Sequence, residues 1–102
     1  MKLKVTRTTG NVFRDLGFSP AEAEHLRVRA ELMVLLQKAL SQRRVTQVRA
    51  AALLDVTQPR VSDLLRGRID LFSTDALIDL LARLRIGVRL VARRDRKRAG
   101  AA

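Results

Sequence analysis

The stretch from Thr46 to Arg68 carries amide, hydroxyl, carboxylate and guanidinium groups on two short helical patterns. A glutamine such as Gln58 can form two hydrogen bonds to the edge of one base, and an arginine such as Arg60 can bind a base or a phosphate. Between positions 43 and 68, six basic residues against Asp55 and Asp63 leave a local charge of +4. The basic residues are Arg43, Arg44, Arg49, Arg60, Arg66 and Arg68. The chemistry that this stretch predicts is hydrogen bonding to a polyanion.

Residues for catalysis or metal binding are scarce. The chain has no Cys, which excludes disulfides, thiolate metal sites and a cysteine nucleophile. The one histidine, His25, cannot build a metal cluster alone and has no companion pattern for a nucleophile and its base. We therefore expect no enzyme activity, no catalytic residue, no metal and no cofactor.

Two helices joined by a tight turn are predicted to position the polar groups. They run from Thr46 to Leu54 and from Gln58 to Arg66, and a threonine stands at the N-cap of each, Thr46 and Thr57. Ala51 is small enough for a close helix crossing, and Val56 provides an apolar plug under the turn. The pattern predicts a helix-turn-helix motif.

The apolar spacing in the second of these helices divides its faces. Leu54 of the first helix and Val61, Leu64 and Leu65 of the second are predicted to point inward. The remaining residues of the second helix then point outward or sideways, with Gln58 at the tip. They are Gln58, Pro59, Arg60, Ser62, Asp63 and Arg66. This short polar face suits the major groove of DNA.

Longer elements flank the motif. Ser19, Pro20 and Glu22 form a capped start for a helix that can run to about Arg43, with a broad apolar stripe from Leu26 to Leu40 that predicts core or dimer contacts. Residues Val12, Phe13, Leu16 and Phe18 are predicted to form an apolar linker before it. After the motif, Ser73 can cap another helix, Phe72 can pack on Leu77, and Gly87 is predicted to end that helix.

Alternating apolar residues predict two short strands, one within Met1–Thr9 through Leu3 and Val5, the other over Val88–Ala92. We expect them to pair with each other or across a two-fold axis, since an unpaired strand leaves its backbone groups unsatisfied. The last residues form a basic tail. Positions 83–98 carry eight basic residues against Asp95, a local charge of +7. The tail is predicted either to be solvated or to contact phosphates.

From Thr46 to Gly67 the chain resembles the Xre (Cro/repressor) type of helix-turn-helix. The flanks Asn11–Phe13, Asp15–Phe18 and Asp70–Ser73, with the Gly87-Val88 pair, are similar to small antitoxins of the host-inhibition-of-growth type (HigA-like). Two departures stand out. Asp55 occupies a turn position where the family usually has Gly, so a left-handed backbone is expected there. Pro59 replaces a side chain that could bond to a base.

The resemblance implies a role for each site residue. Thr46 and Gln47 would lie at a phosphate, Thr57 would cap the recognition helix, and Gln58 would read a base edge, adenine being its best partner. Arg60 and Ser62 would reach a base or the flanking backbone next to Pro59. Asp63 would accept from a cytosine amino group or repel phosphate. Arg66 and Arg68 would hold phosphates beyond the helix.

Composition sets the remaining expectations. The chain has 102 residues, a net charge of +11 and 47% hydrophobic residues, which fits one folded domain with a polyanionic partner. We expect an all-α, lambda-repressor-like bundle with short terminal β-strand extensions, divided into residues 1–18 (extension), 19–86 (helix-turn-helix domain) and 87–102 (strand and basic tail). No signal or membrane-spanning pattern is present, so a cytoplasmic protein is expected.

The resemblance implies a sequence-specific repressor that binds an operator in double-stranded DNA as a homodimer, with half-sites about one helical turn apart. It further implies an antitoxin that neutralises a RelE/HigB-like ribonuclease toxin and represses its own operon. Two alternatives stay open, a solitary Xre-type regulator without a toxin, and a nonspecific nucleic-acid-binding protein. Membrane binding is not expected, because the basic tail lacks interleaved apolar anchors.

Overall fold

The computed structural model describes residues 12–92 and 94, and these residues form an all-helical bundle. The helices, in chain order, are α1 (Val12–Asp15), α2 (Pro20–Arg43), α3 (Gln47–Leu54), α4 (Gln58–Leu65) and α5 (Thr74–Arg83), with a 3-10 turn at Ile69–Leu71 between α4 and α5. The long helix α2 is the spine, and α1, α4, α5 and the 3-10 turn all pack against it.

The four longer helices begin at the predicted caps. The hydroxyl oxygens of Ser19, Thr46, Thr57 and Ser73 each accept a hydrogen bond from the backbone N–H three residues later, at 3.2, 3.1, 3.3 and 3.1 Å respectively. These bonds satisfy donors that the first turn of a helix leaves unpaired. At Ser19 the hydroxyl also donates to the Glu22 carboxylate at 2.8 Å. The capping prediction is confirmed at all four positions.

Left-handed residues end the helices. Asp55 has φ +56°, as its position in the turn predicted, and the next N–H, that of Val56, donates to the Ala51 carbonyl at 3.0 Å. Gly67 ends α4 in the same way, with φ +73°. The prediction that Gly87 ends the last helix is wrong. Arg85, with φ +63°, does so, and the N–H of Ile86 closes the end on the Leu81 carbonyl at 3.0 Å.

The core is aliphatic apart from Phe72. Its fully buried residues come from α2, α3, α4 and α5 and from Phe72 just before α5, and among the described residues no polar or charged side chain is buried. The largest of them are Met33, Leu36, Leu54, Leu64, Phe72, Leu77 and Leu81. The core contacts of α2 lie mostly from Leu32 onward. In its earlier turns only Ala23 is buried among the described residues, and the exposed side carries an ion-pair network in which Arg27 binds both Glu24 and Glu31.

Two predictions for the flanks and one for α4 need correction. Residues 88–92 are not a strand, because nothing in the described range pairs with their backbone, and Leu90 is 81% exposed. The apolar linker contains a helical turn, α1, whose Phe13 ring meets the Phe18 ring edge-on at 6.3 Å. Leu65, predicted to be inward, is 43% exposed. The predicted strand at Leu3 and Val5 and most of the basic tail lie outside the described residues.

Candidate nucleic-acid interface

The motif has the predicted helix-turn-helix geometry. Helices α3 and α4 pack on each other and are joined by Asp55, Val56 and Thr57. Ala51, predicted to allow the close helix crossing, is half-buried against the core, and its neighbour Ala50 is buried. Val61 and Leu64 anchor α4 from below. The opposite face of α4 is therefore left to its polar residues.

The N-terminal tip of α4 is open to solvent. Thr57, Gln58 and Pro59 are exposed there, and at the start of α3 Thr46 and Gln47 are exposed too. Thr46 and Thr57 use their hydroxyl oxygens as caps, so their side chains shape the helix ends. Gln58 and Gln47 each stand at a helix N-terminus, where backbone N–H groups and the helix dipole favour an anion.

Arg60 is held more tightly than the sequence pattern indicates. Its guanidinium lies 4.0 Å from the centre of the Phe72 ring, and its Nη1 donates to the Leu71 carbonyl at 2.9 Å. A cation over an aromatic face is stabilised by the ring quadrupole. Arg60 therefore links α4 to the segment before α5, with its guanidinium at a fixed position beside the tip of α4.

Asp63 and Arg66, predicted to make separate contacts, are paired with each other. Arg66 Nη2 donates to Asp63 Oδ1 at 2.8 Å. The carboxylate is one-quarter exposed and the guanidinium nearly two-thirds exposed, so the pair lies at the surface of α4. Ser62 is half-buried beside it. In this arrangement Asp63 neutralises Arg66, and a phosphate that binds Arg66 has to compete with that carboxylate.

Arg68 follows the helix and is paired as well. Its Nε and Nη2 donate to the two carboxylate oxygens of Asp70, each at 3.3 Å. The hydrogen bonds that Arg68 donates to Asp70 lower the pKa of Asp70 and raise the pKa of Arg68. Both side chains are exposed, so the pair is open to competition from a phosphate.

Two residues outside the predicted site lie beside it, one on α3 and one on α2. Arg49 on α3 is exposed, and its guanidinium makes no hydrogen bond to any described residue. Its positive charge was counted within the motif, but the sequence pattern predicted no role for it. Gln37 of α2 donates to the C-terminal carbonyls of α4 at 2.9 and 3.4 Å. No local signal could have found Gln37, because its partners lie 27 and 28 positions away.

The described part of the chain holds no group of three His, Asp or Glu residues suited to a metal ion. None of its helices is long and apolar enough to cross a membrane. His25, on α2, is exposed.

Comparisons with known proteins agree with this geometry. The sequence matches the family model of a helix-turn-helix domain over residues 12–93. A solved structure named as an XRE-family transcriptional regulator matches with a TM-score of 0.67 and 32% sequence identity, over 72% of this chain and 83% of that chain. A comparison with curated proteins found no match.

The fold, the motif and the family match define a protein of the helix-turn-helix class. Within that class the chain belongs to the XRE family.

Proposed function

We propose that this protein is a sequence-specific DNA-binding repressor of transcription. The observation that carries the proposal is the open polar tip of α4, where exposed Gln58 stands at the N-terminus of a helix packed across α3. A glutamine there can form two hydrogen bonds to the edge of an adenine in the major groove. Fixed Arg60 beside it offers its remaining N–H groups to a neighbouring base or phosphate.

The positive charges around α4 also support DNA binding by this surface. Gln47 and Arg49 on α3, with Arg66 and Arg68 beyond α4, would bind phosphates on either side of the reading helix. The +7 of positions 83–98 would add affinity without sequence preference. The relative named as an XRE-family transcriptional regulator supports regulation of transcription as the outcome of this binding.

The first test measures binding by fluorescence anisotropy to a duplex that the protein selects from a random pool, and to a scrambled duplex of equal length. At about 150 mM salt we expect a preference of at least a hundredfold, because nonspecific binding weakens steeply with salt whereas base contacts persist. Equal affinity for both duplexes contradicts the proposal and favours the nonspecific nucleic-acid-binding protein.

We further propose a homodimer, because a lone α4, about 12 Å long, reads few bases and paired half-sites about 34 Å apart are the usual remedy. Sedimentation with and without the selected duplex tests it. The expected result is two chains on each duplex whose selected sequence is an inverted repeat. One chain on an asymmetric site contradicts it.

The antitoxin role is proposed on the flanks of the motif, which resemble small antitoxins of the host-inhibition-of-growth type. Its partner would be a RelE/HigB-like ribonuclease toxin encoded beside this chain. The test is co-expression with the neighbouring open reading frame. We expect that frame to arrest growth alone and this chain to restore growth and co-purify with its product. If the neighbouring open reading frame does not arrest growth, a solitary regulator without a toxin is the better interpretation.

A further inference from the structure

Gln37 connects the spine helix to the far end of the reading helix. It is half-buried on α2, and its Nε2 donates to the Leu64 carbonyl at 2.9 Å and to the Leu65 carbonyl at 3.4 Å. The same nitrogen lies 3.6 Å from the point where a Cβ on Gly67 would stand. Gln37 therefore touches α4 where it ends and where the chain turns away.

The contact is not needed to cap α4. The turn at Gly67 already closes the helix, since the N–H of Gly67 donates to Leu64 at 3.0 Å and the N–H of Arg68 donates to Asp63 at 3.1 Å. The Leu64 carbonyl thus accepts both a local bond and the bond from Gln37. What Gln37 adds is a hydrogen bond between α2 and α4, joining two residues that lie 27 positions apart in the sequence.

Apart from Arg60 at its N-terminal end, α4 is anchored by apolar contacts, so a directional contact at its C-terminal end adds a constraint that these do not supply. Only Val61 and Leu64 are buried on this eight-residue helix, while Leu65 is 43% exposed. Apolar contacts are non-directional, so these two alone define the tilt of the helix less strictly than a hydrogen bond does. A hydrogen bond constrains both distance and angle. At the other end, Arg60 fixes α4 to the Leu71 carbonyl.

We propose that Gln37 is a positioning residue for DNA reading, one that sets the tilt of α4 in the groove from outside the helix-turn-helix motif. The proposal rests on the sequence-specific binding proposed above. A bidentate bond from Gln58 to a base requires correct placement of the whole helix, whereas phosphate contacts tolerate small shifts. Loss of the Gln37 bond should therefore weaken reading of sequence more than general affinity for DNA.

The test compares Gln37→Met, which keeps size but removes the donor, with Gln42→Met, which makes the same change at an exposed position of α2. Affinities for the selected and scrambled duplexes are measured well below the thermal midpoint of each variant. For Gln37→Met we expect about tenfold weaker binding to the selected duplex, from loss of one hydrogen bond to the helix end. Binding to the scrambled duplex should stay within about twofold, as should both affinities of Gln42→Met.

The outcomes separate the two proposals. If the wild-type protein itself shows no preference, the proposed function fails and this inference fails with it. If the wild-type prefers its selected duplex and Gln37→Met keeps the full preference, only the positioning role is overturned. Equal weakening on both duplexes assigns Gln37 to stability alone. Should Gln37→Met not fold, Gln37→Leu, which also lacks a donor and carries no charge, takes its place, and failure of both to fold overturns the positioning role.

Discussion

Helices α3 and α4 are of equal length and start alike, yet they are held in different ways. Each has eight residues and a threonine cap. Helix α3 rests on buried Ala50 and Leu54, while its exposed side chains, Gln47 and Arg49 among them, extend into solvent. Helix α4 is held at both ends by directional polar contacts, through Arg60 at one end and Gln37 at the other.

The difference matches two kinds of DNA contact. A helix that binds phosphates can keep mobile side chains, because the backbone is the same for every sequence. A helix that reads bases benefits from side chains fixed before binding, since ordering them later costs conformational entropy. On this view α3 supplies affinity and α4 supplies discrimination.

The largest effect is expected from the ring under Arg60. Phe72→Ala removes a buried side chain and the face on which the guanidinium rests. It should lower the free energy of unfolding by about 3–5 kcal/mol, which urea denaturation measures. Phe72→Leu is the control: it keeps most of the apolar volume, so it should cost under about 1.5 kcal/mol plus the loss of the cation–ring contact. Equal losses for the two variants would mean that cavity formation contributes little here.

The division between the helices is tested directly by Gln58→Ala on α4 and Arg49→Ala on α3. Gln58→Ala should cost about 1–3 kcal/mol on the selected duplex and little on the scrambled one. Arg49→Ala should weaken both duplexes to the same extent and reduce the slope of log affinity against log salt by about 1. Anisotropy titrations over a range of salt give both quantities. If Arg49→Ala lost the preference for the selected duplex, α3 would contribute to discrimination as well, and the proposed difference between the two helices would be wrong.

The helix ends offer a smaller contrast. Gly67 at the end of α4 and Asp55 at the end of α3 both have left-handed backbones. Gly67→Ala should lower the free energy of unfolding by about 1–2 kcal/mol, because a Cβ is strained at that φ. Asp55→Gly relieves the same strain at α3 but loses the exposed pair with Arg83 at 3.4 Å, so thermal unfolding should show a change within about 1 kcal/mol. A large loss for Asp55→Gly would reveal a role beyond backbone shape.

The smallest effect concerns the pair after α4. The Arg68 hydrogen bond lowers the pKa of Asp70, so the pair stabilises the folded state at neutral pH. That contribution is present above the ordinary aspartate pKa of about 3.9 and is lost as the pH falls through the lower folded value. Asp70→Asn should therefore melt slightly below wild type at pH 7 and match it in strong acid. A difference that grows on acidification contradicts this assignment.

What the sequence predicted well is local. Each of the four caps is a hydrogen bond between a hydroxyl oxygen and the backbone N–H three residues later, at Ser19, Thr46, Thr57 and Ser73. The left-handed turn at Asp55 depends on its place in the motif. These interactions lie within one turn of chain, so a pattern of residue types captures them.

What the sequence did not reveal involves distant partners. The contact of Arg60 with Phe72 and the Gln37 bonds to Leu64 and Leu65 exist only once the helices are assembled. The end of α5 at Arg85 was missed because the rule that favours glycine is a preference, and closure on Leu81 by buried Ile86 satisfies the helix end before Gly87. Val88–Ala92 alternates like a strand, but alternation cannot supply a partner.

The position of Arg60 above Phe72 should also be visible in the NMR chemical shifts of Arg60. Protons directly over an aromatic face are shielded by its ring current, and the guanidinium lies 4.0 Å from the ring centre. The side-chain protons of Arg60 should therefore resonate upfield of those of the other arginines. The chain has no Tyr or Trp and only three Phe, so few other rings can shift an arginine signal. If Arg60 keeps this position when DNA binds, the upfield shift persists. If Arg60 leaves the ring for a base, the signal returns to the range of an ordinary arginine.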